Sequence, residues 1–140
     1  MLKTVVILLV LVAVAQAAIR FSPLPRHRLG AQPGPFEPGV HPMIGGLKVV
    51  RPLAELPEGA FDRLLEIAAG TARTERIGTG ADPAAFVTRS RLWGFPDIAV
   101  IWQDGANLHV HSHLVFGRGD MGMNAARVGR WFERLERGQR

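Results

Sequence analysis

Residues 86–137 read FVTRSRLWGFPDIAVIWQDGANLHVHSHLVFGRGDMGMNAARVGRWFERLER, and the fold follows from how that stretch divides. Successive side chains on a strand point to opposite faces, so alternation marks a strand with two unlike sides. Ala85 to Trp93 alternates, with Phe86, Thr88, Ser90 and Leu92 on one side and Val87, Arg89, Arg91 and Trp93 on the other. Gly94-Phe95-Pro96-Asp97 is a turn, and Asp97 to Trp102, rich in branched apolar residues, is the next strand. Asp104-Gly105, inside the turn Gln103–Asn107, supplies a hairpin signal. Leu108 to Phe116 follows, with Leu108, Val110, Ser112 and Leu114 on one face and His109, His111 and His113 on the other. After the break at Gly117–Gly119, Asp120 is placed to accept unpaired N–H groups at the start of a closing helix. Met121, Ala125, Val128, Phe132 and Leu135 recur there at helical spacing.

Working upstream, Leu47 to Leu53 reads as a strand and Pro57 to Gly70 as a helix. Phe61, Leu64, Leu65 and Ala68 share one helix face, and Pro57 suits a first turn. Arg73 to Ile77 is either a short strand or an irregular connection. The elements predict an α+β domain: an antiparallel sheet covered by two helices, in the order β-α-β-β-β-α. That domain spans residues 47–138. Before it, residues 19–46 carry six prolines from Pro23 to Pro42 and five glycines from Gly30 to Gly46, which predicts an extended linker.

Residues 1–18 predict a signal peptide or a membrane anchor. Lys3 gives a positive start, Val5 to Val14 is wholly apolar, and Ala15-Gln16-Ala17 fits a small-x-small cleavage pattern. Both readings place the protein at the cell envelope, periplasmic or anchored in the inner membrane. Arg20, Arg26 and Arg28 follow the apolar run, and as an anchor this would orient the domain to the cytoplasm. Membrane contact is then expected only through residues 1–19, and only if they are retained.

The chain of 140 residues, 47% apolar and 21% charged, is long enough for one packed domain. Its net charge of +5 arises from 17 basic against 12 acidic residues. The acids are interleaved with the arginines, as in Arg130 to Arg137, and no basic run with stacking aromatics appears, so nucleic acid is not an expected partner. With no Cys, thiol catalysis, disulfides and Cys-ligated zinc are excluded.

Two sites are candidates. His109, His111 and His113 alternate on one strand, which brings neighbouring imidazoles within about 7 Å and would allow a zinc or copper site if they converge. The first expectation is nevertheless a polar strand face with no cofactor, and the zinc or copper site is the alternative. Arg89 and Arg91 on one strand face, with Asn124 and Arg127 at the start of the closing helix, form a candidate anion site. Asp97 and Asp120 would instead pair with those arginines as a structural polar cluster. Ser90 and Ser112, near His and Asp in sequence, are the components of a hydrolytic triad if folding unites them. No nucleophile elbow, phosphate loop or zinc-protease helix is present, so no catalytic residue is assigned.

The residues Arg89-Ser90-Arg91-x-x-Gly94-Phe95-x-Asp97, then Ser112, then Gly117-x-x-Asp120-x-Gly122-x-Asn124-x-x-Arg127 resemble the domain of unknown function 1499 family. The resemblance covers the carboxy-terminal third to half of the chain. It implies a small bacterial exported or membrane-associated protein with no assigned activity. Leu114-Val115 stand where the family usually has a Ser-Arg pair, Gly119 stands where Ser is common, and the upstream Cys-containing segment is absent. The expected function is a noncatalytic envelope domain that binds a protein partner or a small anionic ligand. The alternative is a small metal-dependent or hydrolytic enzyme using the histidine strand.

Overall fold

The computed structural model describes residues 1–138. It is an α+β protein built on one six-stranded antiparallel sheet. The strands are β1 (Gly39–Met43), β2 (Gly46–Pro52), β3 (Thr74–Ile77), β4 (Ala84–Arg89), β5 (Pro96–Gln103) and β6 (Asn107–Leu114). Their order across the sheet is β1-β2-β6-β5-β4-β3. The helices are α1 (Leu2–Arg20), α2 (Ala60–Ala69) and α3 (Met123–Arg137).

The central strands and both amphipathic helices lie where the pattern predicts, and the sheet gains a strand at each edge. One is β3, the connection that periodicity left open. The other, β1, comes from the end of the proline-rich segment and pairs with β2 from Gly39↔Val50 to Met43↔Gly46. An edge strand tolerates Pro42 because a proline has no N–H to give to a ladder. Gly46 is required at the turn into β2: a Cβ there would lie 2.1 Å from the Ser112 carbonyl oxygen on β6.

The expected strand from Ala85 to Trp93 stops at Arg89 because the next residues close a tight loop. Gly94 N–H donates to the Ser90 carbonyl at 3.1 Å, Ser90 N–H to the Phe95 carbonyl at 2.9 Å, and Phe95 N–H to Ser90 Oγ at 3.0 Å. Gly94, at φ 77°, adopts a backbone that side chains disfavour. In the same way α2 starts three residues after Pro57, because Gly59 turns at φ 69° first.

One sheet face, the front, packs on α2 and α3. Leu47, Val49, Phe86, Ile101, Leu108 and Val110 from the strands meet Leu64, Ala68, Val128, Trp131 and Leu135 from the helices. Burying each large side chain stabilises by about 1.5–3 kcal/mol. Trp131 is buried among them, and its indole N–H reaches Thr71 Oγ1 at 2.8 Å just past the end of α2.

The opposite face is covered without a helix. Val87, Ile98, Val100 and Trp102 are buried there, with Leu24 and Leu29 of the proline-rich segment packed on them. This segment, expected to be an extended linker, therefore lies against the sheet as a strap. Lys48, fully buried on β2, holds it: Nζ donates to the Pro33 carbonyl and sits 4.2 Å from the Phe36 ring centre and 4.8 Å from that of Trp102. A desolvated ammonium is stabilised by such rings and a carbonyl together. Apolar α1, by contrast, is exposed along nearly its whole length and contributes nothing to either core.

Candidate functional site

The front face changes character along the strands. Toward the Asp97 end the inward residues become Thr88, Asp97 and Ser112. The facing stripe of α3 changes with them. Met121 is 96% exposed and Ala125 is exposed, so the apolar stripe expected to begin there does not. Asn124 and Arg127 turn inward in their place and are buried.

These residues form one connected network. Arg127 donates Nη2 to Asp97 at 2.7 Å and Nη1 to Asn124 Oδ1 at 3.0 Å. Ser112 Oγ donates to the same Asn124 oxygen, while the Asn124 amide donates to Asp120 at 2.9 Å. Asp120 also accepts the N–H of Gly122 at 3.1 Å and that of Asn124 at 2.9 Å. Asp120 lies three residues before Met123, and Gly122 takes the N-cap position expected of Asp120, yet the Asp120 carboxylate accepts N–H groups at the start of α3 and leaves Arg127 to Asp97.

The two carboxylates respond differently. Burial pushes the Asp97 carboxyl up, against the lowering effect of Arg127. Burial also works against ionisation of Asp120, but hydrogen bonds from Asn124 and Gly122 outweigh it and hold that carboxyl below its ordinary value.

Above the network lies an open cavity of about 430 Å³. Arg73, Arg89, Arg91 and Arg127 line it, together with Asp97, Asp120, Ser90 and Thr88, and Phe95, Phe116, Met121 and Met123 form its apolar rim. Arg89 donates to the Gly94 carbonyl at 3.1 Å and Arg73 to the Arg89 carbonyl at 3.2 Å. Among the described residues, Arg73, Arg89 and Arg91 have no carboxylate within 4.0 Å; Arg127 alone of the four is ion-paired. Among the described residues the two non-glycine positions at positive φ, Arg73 at 58° and Met121 at 51°, both line this cavity. Backbone held in such sparsely used conformations concentrates at binding sites.

Arg89, Arg91 and Arg127 are therefore brought together, while Asn124 lies beneath the cavity as a hub. Arg89 and Arg91 do not share a strand face, since Arg91 sits in the loop beyond the strand. Arg73 escaped the sequence reading because it lies in an irregular turn with no periodicity. The apolar rim escaped it too, because loop residues carry no face to count.

The histidines all point to the back face, yet into two surroundings. His109 stacks on Trp102 at 4.8 Å and shares a 2.8 Å hydrogen bond with Asp104. Asp104 also accepts the Asn107 N–H, and these bonds draw its carboxyl down to about 2. His111 and His113 stack on each other at 4.4 Å, with ring planes 15° apart. Nearly parallel rings send their in-plane lone pairs side by side rather than to one point. Among the described residues, no group of three or more His, Cys, Asp or Glu side chains is arranged to hold a metal ion. Burial lowers both His111 and His113 to about 4, helped by His113, Lys48 and Arg28 at the first and by Arg28 at the second. The triad components are not united: Ser112 lies on the front face, bonded to Asn124, and the imidazoles lie behind it.

The fold and cavity define a class: an antiparallel α+β domain, preceded by an apolar helix, with an arginine-lined cleft where β4, β5 and α3 meet. The chain belongs to the DUF1499 family, described as a protein of unknown function, whose model matches residues 45–135. No curated protein and no solved structure matches it.

Proposed function

We propose that this domain is a noncatalytic, envelope-located binding module whose cavity takes a small anionic ligand bearing phosphate or carboxylate. The observation that carries this reading is the gathering of Arg73, Arg89 and Arg91 around one concave site with no carboxylate within 4.0 Å of them among the described residues. Guanidinium forks match the oxygen geometry of such anions, and the neighbouring Arg127 is already committed to Asp97. The network below holds the site's floor rigid, so the ligand meets a preformed surface. Apolar α1 supports the envelope location, as leader or anchor.

Thermal unfolding with added inorganic phosphate, against chloride at equal ionic strength, tests this. At ten times its dissociation constant, phosphate should stabilise by about 1.4 kcal/mol, or roughly 5 °C in Tm. The double variant Arg73→Gln/Arg91→Gln should lose the shift and keep its own Tm, because neither side chain is buried. If phosphate and small carboxylates act no differently from chloride, the reading is wrong.

A further inference from the structure

We infer that the rim of the arginine cavity seats on the bilayer that holds α1, and that the anion it takes is the phosphate of an anionic lipid headgroup. The inference rests on the anion-binding reading above and names the ligand's source. It also extends the membrane contact beyond residues 1–19.

The first observation is where α1 ends. Nineteen residues of helix reach about 28 Å, close to the thickness of a bilayer's hydrocarbon layer. Gln16, one turn before the end of α1, donates its side-chain amide to the Leu92 carbonyl. Arg20 packs on the same loop: a Cβ on Gly94 would lie 3.2 Å from its Nε. With α1 spanning the membrane, the loop from Ser90 to Phe95 is held at the height of Gln16. That height is about 6 Å inside the helix end, where acyl chains meet headgroups.

The second observation is what the domain exposes there. Leu92 is 70% exposed, Phe116 47%, Met121 96% and Phe21, the residue after α1, 81%. Phe95 and Phe116 pair at 6.1 Å on the cavity's lip. Large apolar side chains exposed on the loop that α1 touches and on the adjoining cavity lip have their natural cover in lipid. Interspersed are Arg20 and Arg91, with Arg26 and Arg28 following in the strap, a charge pattern complementary to anionic headgroups. Of the four arginines that line the cavity among these residues, Arg127 is paired with Asp97, while Arg73, Arg89 and Arg91 have no carboxylate within 4.0 Å among the described residues.

The absence of native Cys makes the test direct. Single Cys residues are introduced as Leu92→Cys, Phe116→Cys and, as a control beside Gln103 at the far end of the sheet, Asp62→Cys. The full chain, nitroxide-labelled, is placed in nanodiscs of phosphatidylcholine with or without phosphatidylglycerol. Labels at 92 and 116 should lose several-fold of their accessibility to a water-soluble nickel chelate relative to 62. The loss should deepen with phosphatidylglycerol, and Arg73→Gln/Arg91→Gln should remove that deepening. Equal accessibility at all three positions overturns the inference, as does protection that ignores lipid charge. So does a membrane-extracted native protein that lacks residues 1–17. If inorganic phosphate still stabilises the chain in those cases, the anion-binding reading survives alone; if it does not, both fall.

Discussion

The two faces of the sheet are covered by different means. The front is closed by two amphipathic helices, whose apolar stripes meet a large apolar patch and whose one polar end is fully hydrogen-bonded. The back is closed by an irregular strap of prolines and glycines, pinned by Lys48 between Phe36 and Trp102 and laid over two neutral histidines. A helix satisfies its own backbone and needs only a stripe to dock. A strap has no such self-sufficiency and must be held by particular contacts. The difference teaches that front-face lesions should act through core packing and buried charge, and back-face lesions through local release.

The largest effect is expected at the front. Arg127→Met keeps most of the side chain's volume but strands Asp97, which is only 18% exposed, without its partner. Removing one member of such a pair costs about 3 kcal/mol, at the low end of the range for buried pairs because Asp97 retains some water. Chemical denaturation should show a lower midpoint at unchanged slope. The double variant Arg127→Met/Asp97→Leu should recover much of the loss, since the cost lies in the orphaned charge. A single variant as stable as the parent would refute the claim that this end of the core is held by its polar network.

A smaller effect separates the faces by pH. His111 and His113 fall to about 4 when folded, against an ordinary value of about 6.5 in an unfolded chain. Between those values the unfolded chain binds more protons, so stability rises with pH across this window and is fully present above it. Acidification from 6.5 toward 4 should therefore cost on the order of 2 kcal/mol, discounted because His113 is only half-buried and the pair is coupled. The double variant His111→Asn/His113→Asn should flatten that slope while leaving the Arg127 effect untouched. An identical pH slope in parent and double variant would mean the histidines are not what makes the back face acid-sensitive.

The same contrast explains what could be read in advance. Val128, Phe132 and Leu135 were found by counting apolar residues, and all three are buried. The count then slid onto Met121 and Ala125, because the inward positions at that end are Asn124 and Arg127. A rule that scores apolarity passes over a polar core. The back-face cover left a trace that periodicity alone did not exploit. Pro96 to Trp102 is a nearly unbroken apolar run, with Ala99 and Ile101 at the front and Ile98, Val100 and Trp102 behind, as for a strand buried on both sides. That run demanded a second cover. Nothing in the proline-rich segment's own local preferences named it as that cover, because its docking depends on Lys48 and Trp102, distant in sequence. At the site, Arg89, Arg91 and Arg127 were legible as residue types, but Arg73 and the apolar rim required the loops' actual paths.

The smallest effect probes the pin itself. Phe36 is half-exposed, so Phe36→Leu removes the ring from one side of the Lys48 ammonium while opening little cavity. A cation–π contact of this kind is worth about 0.5–1 kcal/mol. Trp102 and the Pro33 carbonyl still hold the ammonium, so global unfolding should shift by no more than that. Local opening is the sensitive readout. If the strap lifts independently of the sheet, exchange of the β1 amides paired to β2 should quicken by roughly 2–5-fold, the same energy read as a population. Amides of β5, held between β4 and β6, should keep their rates. Uniform acceleration across both strands would show that the strap opens only with the whole domain. The two faces would then form one cooperative unit, despite their different covers.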